Sequence, residues 1–126
     1  MGISVTGLVK AFGPLTVVKG ISFDIARNEF LTLLGPSGCG KTTTLRMIAG
    51  LDMPDGGAVE VDGQVLSDAA AGVFVPPQER RLGMVFQSYA VWPHLTVAEN
   101  VAFPLTVRGV RNTAEPVRWD HAGPTR

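Results

Sequence analysis

Eight consecutive residues, Gly35-Pro36-Ser37-Gly38-Cys39-Gly40-Lys41-Thr42, constrain this chain more than anything else in it. They fit G-x-x-x-x-G-K-[ST], the pattern of a phosphate-binding loop. Gly35, Gly38 and Gly40 carry no Cβ, so the loop can curl until its N–H groups converge on an anion. Before the loop runs Phe30-Leu31-Thr32-Leu33-Leu34, which predicts a strand buried on both faces of a parallel sheet. After it, Leu45, Ile48 and Ala49 predict a helix from near Gly40, and Gly50 is placed to end it. Such a helix presents free N–H groups and a positive dipole end to phosphate. Lys41 is expected to reach the β- and γ-phosphates, Thr42 to offer its hydroxyl to Mg²⁺, and Thr43 to add a further donor. The alternative is a glycine-rich turn with an incidental lysine.

At 126 residues the chain holds at most one domain. Eleven basic and eleven acidic side chains give zero net charge, which offers nothing to nucleic acid or anionic lipid. Cys39 is the single cysteine, so no internal disulfide forms. It occupies a variable slot of the loop, and no base is placed to activate it. The N-terminus lacks the charged and apolar regions of a signal peptide, and no apolar run is long enough to span a bilayer.

Along the chain, Ile3 to Val9 and Thr16 to Ile25 predict strands joined by a turn over Lys10–Pro14. Ala58 to Val61 and Gln64 to Leu66 flank Asp62-Gly63, the favoured link of a type I′ hairpin. Ser67 to Gln78 predicts a loop, and Leu82-Gly83-Met84-Val85-Phe86 a second buried strand ending at Gln87. Thr96-Val97-Ala98-Glu99 is a capping box opening a short helix that Pro104 should weaken or end. Residues 112–126 lose all periodicity and predict a disordered tail, with His121 and Trp119 unsupported by neighbours.

These residues together resemble the ATP-binding subunit of an ABC transporter, over about Ile3 to Val110. Three stretches carry the likeness: the phosphate loop; Phe12 ahead of it; and Arg81-Leu82-Gly83-Met84-Val85-Phe86-Gln87 followed by Trp92 to Val101. The wording from Pro76 to Arg81 is similar to importers of polyamines, iron(III) or sugars. The resemblance implies an α/β fold, a partial P-loop NTPase core with an antiparallel β subdomain, spanning residues 1–111. It implies ATP and Mg²⁺ as cofactors. It assigns Gly35, Ser37, Gly38, Cys39, Gly40, Lys41, Thr42 and Thr43 to nucleotide, and Phe12 to adenine, with ordinary packing as the alternative for Phe12. It gives Lys41 and Gln87 catalytic roles and places Thr42 and Gln87 at the metal, although Gln87 also reads as a plain strand-end residue. The segment from Gln87 to Leu95 would dock on transmembrane permease subunits, and a second ATP-binding subunit would complete the site. Tyr89, Val91, Trp92 and Leu95 are then either partner-facing or core. The implied location is cytoplasmic, peripheral on the inner face of the membrane.

Hydrolysis in that family also needs parts this sequence does not hold: a strand ending in Asp-Glu, a Leu-Ser-Gly-Gly-Gln signature and a switch histidine. A truncation, with the tail from Asn112 arising by frameshift, is one expectation. The chain then either binds nucleotide without hydrolysing it or is a non-functional remnant.

Overall fold

The computed structural model describes residues 2–109, so the expected tail over 112–126, with Trp119 and His121, lies outside the described residues. The chain forms two compact units, divided between Val85 and Phe86.

The first unit is built on an antiparallel sheet: β1 (Ile3–Phe12), β2 (Leu15–Ile25), β3 (Gly56–Val61), β4 (Gln64–Asp68) and β5 (Val73–Phe74), in the order β2-β1-β3-β4-β5. β1 and β2 pair as far as Phe12 opposite Leu15, so the turn shrinks from the expected five residues to Gly13-Pro14. Pairing outlasts the local turn chemistry because each added residue pair satisfies backbone groups that the loop would leave open. The Asp62-Gly63 turn forms as expected: Val61 faces Gln64, and the two linking residues have φ of 53° and 77°. Ser67 to Gln78 is more regular than its composition suggests. β4 runs on to Asp68, β5 pairs back on it, and Pro77–Glu79 makes a 3₁₀ turn.

The connection from β2 to β3 passes over β1 and carries the phosphate loop and helix α1 (Lys41–Ala49). Val5, Leu8, Val18 and Val59 from the sheet close around Met47 of α1 in one buried cluster, with Ile48 partly buried against it. Thr44 is the other buried side chain of α1, whereas Leu45 is half exposed. The expected stop at Gly50 is present. Its φ of 82° lets its N–H reach the Met47 carbonyl (3.2 Å), while the Leu51 N–H reaches Arg46 (2.9 Å). A Cβ on Gly50 would lie 2.3 Å from Nε of Arg80, so glycine is required there twice over.

Two expected strands do not form. Phe30 to Leu34 has no regular structure, with Phe30 91% and Leu34 96% exposed. Leu82 to Phe86 is likewise irregular, and Val85 is 98% exposed. A parallel strand needs neighbours supplied by distant chain. Among the described residues every paired strand is antiparallel, and none pairs with either run.

The second unit holds helix α2 (Val97–Val107). Its capping box is complete: the Glu99 N–H donates to Thr96 Oγ1 (3.2 Å), and the Thr96 N–H donates to Glu99 Oε2 (2.7 Å). Asn100 fastens the preceding loop, accepting from the Trp92 N–H (2.8 Å) and donating to the Trp92, Leu95 and Thr96 carbonyls. Pro104 does not end the helix. It cannot donate to Asn100, but its own carbonyl accepts from the Arg108 N–H (3.3 Å), so the last turn still closes.

The cap makes α2 sensitive to acid. The Thr96 N–H, then its hydroxyl, hold the Glu99 carboxyl below its ordinary value of 4.5, with a smaller contribution from the charge of His94. A depressed folded value means that the stabilisation is present above 4.5 and lost as pH falls through the folded value. Amide exchange in the first turn of α2 should therefore accelerate below about pH 4, beyond the intrinsic pH dependence. Glu99→Gln should flatten that response; an unchanged profile would show that the carboxylate does not hold the cap.

Candidate functional site

The loop from Gly35 to Gly40 bends into α1 through Gly40, which is buried with φ of 93°. A Cβ there would sit 2.8 Å from the Val17 carbonyl and 3.1 Å from the Val18 side chain, so the loop lies flush on β2 only because residue 40 is glycine. Lys41 folds back over the loop. Its Nζ donates to the Gly35 carbonyl, to the Pro36 carbonyl (2.9 Å) and to Sγ of Cys39 (3.5 Å). The ammonium therefore stands inside the curl of the octapeptide.

The N-cap of α1 has no side-chain hydrogen bond and no acid follows in the first turn. Lys41, Thr42 and Thr43, as the first three helical residues, have no carbonyl one turn back to accept from them. Three first-turn N–H groups and the helix dipole thus stand uncapped by any described side chain, next to the residue whose ammonium curls back over the loop. Oxygen-rich, multiply charged phosphate suits that donor set. A cleft of about 810 Å³ opens here, lined by β2 from Leu15 to Ile21, by Thr32, Leu33 and Leu34, and by Gly38 to Lys41 with Thr44. Its volume lies in the range of small-molecule sites.

Thr44 is a site residue the sequence reading missed. Its buried hydroxyl donates 2.8 Å to the Gly40 carbonyl, and its N–H donates to the same atom at 2.9 Å. Both bonds lock the bend that aims the first helical turn. The available signal was a hydroxyl four residues after the last loop glycine.

The other expected residues divide. Gly35, Ser37, Gly38, Cys39, Gly40, Lys41, Thr42 and Thr43 are consecutive in the loop and first turn of α1, with Ser37, Cys39 and Thr42 exposed. Phe12 ends β1, half exposed, opposite cleft-lining Leu15, and Nζ of Lys10 lies 5.4 Å from its ring centroid. Gln87 is exposed in a bend of the second unit. In that same unit Tyr89 is 97% exposed, Val91 and Trp92 are also open, and Trp92 packs its ring on Phe103 at 5.4 Å.

A family model described as ABC transporter matches residues 18–123 of this chain. The chain belongs to the ABC transporter family. An ABC chain of 50% identity over 109 residues is the trehalose/maltose import ATP-binding protein MalK of Thermococcus litoralis; the match covers 86% of this chain and 29% of that protein. The spermidine/putrescine import ATP-binding protein PotA of Nitrosomonas eutropha is 52% identical over 103 residues, covering 82% of this chain and 27% of its own. This ABC chain thus spans under a third of the length of these curated relatives. Among solved structures, a dimeric bacterial ABC transporter cassette, MJ0796, superposes with a TM-score of 0.71 at 30% identity, over 91% of this chain and 50% of that one. The fold is accordingly α/β of the ABC cassette type: part of the P-loop core, joined to an antiparallel β subdomain. No helix among the described residues is long and apolar enough to cross a membrane.

Proposed function

We propose that this chain is the nucleotide-holding portion of the ATP-binding subunit of an ABC-type solute importer. The observation that carries the reading is the position of the Lys41 ammonium within its own loop, beside the uncapped first turn of α1. Gly35, Ser37, Gly38, Cys39, Gly40, Lys41, Thr42 and Thr43 hold the phosphates, and Phe12 offers an aromatic face to the base. Thr42, in the first turn of α1, would offer its hydroxyl to Mg²⁺, which would screen the phosphate charge. Lys41 neutralises charge as it builds on the transferred phosphoryl group. The segment from Gln87 to Leu95 meets the permease subunits at the inner face of the membrane, and a second ATP-binding subunit closes the site. Import names among the relatives, MalK and PotA, support this assignment.

For this chain by itself a narrower reading follows. The 126 residues contain neither a Leu-Ser-Gly-Gly-Gln signature nor a strand ending in Asp-Glu. Without those two motifs, the chain by itself would bind ATP–Mg²⁺ and not turn it over.

Linkage makes both readings measurable. Ligand at a hundred times Kd adds about 2.7 kcal/mol to a folded state that alone binds it. For a domain near this size that raises Tm by about 10 °C or more. A rise with no phosphate release is the expected pair of results. Phosphate release would overturn the narrower reading, and an unmoved Tm would overturn nucleotide binding.

A further inference from the structure

Arg80 is the most deeply buried charged side chain described, 3% exposed, and no described carboxylate lies within ion-pairing distance of it. An arginine rarely enters a core without an acid. Here all five of its N–H donors have acceptors. Nε donates to the Val75 carbonyl (2.7 Å). One terminal nitrogen donates to the Met47 and Ile48 carbonyls (3.2 and 3.1 Å), the other to the Leu66 carbonyl (3.2 Å) and the Ser67 hydroxyl (2.7 Å). The guanidinium also stacks over Phe74, 4.9 Å from its centroid. Burial lowers the pKa of Arg80, yet the group stays a cation. The negative end of α1 supplies its counter-charge, since Met47 and Ile48 belong to the last turn of that helix.

The fork thus joins the end of α1 to β4 and to the segment after β5. The opposite end of α1 is the phosphate-facing turn. A nine-residue helix is about 13 Å long. A tilt of about 10° at the Arg80 end would carry the first-turn N–H groups about 2 Å, several times the tolerance of a hydrogen bond. The other holds on α1, Met47 in the core with Ile48 beside it and Thr44 bonded to the Gly40 carbonyl, lie along the helix and at its start, so Arg80 alone ties its last carbonyls to β4.

We infer that Arg80 is a positioning residue for the nucleotide site: by clamping the last turn of α1 it fixes where the helix's first turn meets phosphate. The inference rests on the nucleotide-binding reading above, and its test separates the two. Arg80→Met keeps the length and removes the donors; Arg80→Lys keeps the charge and breaks the fork. Both would be compared with the parent chain by amide exchange and by ATP–Mg²⁺ titration, at a temperature where circular dichroism shows each folded. In Arg80→Met, α1 should exchange about tenfold faster while β1 and β3 stay protected, and ATP affinity should fall about tenfold. Arg80→Lys should fall between, and it decides the matter if Arg80→Met does not fold. Faster exchange in α1 with parental affinity overturns the inference, as does parental behaviour in Arg80→Lys. A parent chain that fails to bind ATP removes the functional reading instead. In that case the exchange arm alone still decides whether Arg80 holds the helix.

Discussion

Lys41→Ala is expected to bind ATP–Mg²⁺ about tenfold to a hundredfold more weakly than the parent chain. Hydrogen bonds to a charged partner are worth about 1.5–3 kcal/mol, and each 1.4 kcal/mol is about a factor of ten. The fold should not suffer, because the bonds lost from Nζ go only to Gly35, Pro36 and Cys39 of the loop itself. Titration calorimetry on parent and variant measures the loss, and a melt without nucleotide checks the fold. Equal affinities would mean that the ammonium, central as it is, does not meet the phosphates.

Met47→Ala is expected to show the largest loss of stability. Met47 is fully buried among Val5, Leu8, Val18 and Val59 and is the main apolar anchor of α1 on the sheet. Truncating a buried methionine costs about 2–5 kcal/mol. Small domains hold about 5–15 kcal/mol in all, so the variant should melt 10 °C or more below the parent by circular dichroism. A change of only a degree or two would mean that the helix is anchored elsewhere.

The features legible in the sequence share a local cause. Asp62-Gly63 encodes its hairpin because both linking residues tolerate positive φ. Thr96 and Glu99 encode their cap across three residues, and Gly50 ends α1 through its own backbone freedom. The octapeptide made the site legible for the same reason, since its parts are adjacent in the chain. What could not be read is non-local. Phe30 to Leu34 and Leu82 to Phe86 have the composition of buried strands, but composition encodes the wish for burial and not the neighbour that provides it. Arg80 escaped notice because its acceptors lie up to 33 residues away in sequence, and nothing local distinguishes it from Arg81 beside it. Gln87 and Thr42, linked in the sequence reading by a shared metal, fall in different units.

The sheet order has a kinetic corollary. Three of its four pairings, β1 with β2, β3 with β4 and β4 with β5, join strands that are consecutive in the chain. The fourth, β1 with β3, must first gather the whole excursion between Ile25 and Gly56. Closing so long a loop delays its reward, whereas the hairpins can zip in microseconds. The glycine curl and its helix lie inside that excursion, and Met47 packs against Val59 of β3 only once it closes. Nucleotide therefore meets a finished receptor, and in refolding it should slow the backward reaction rather than hasten the forward one.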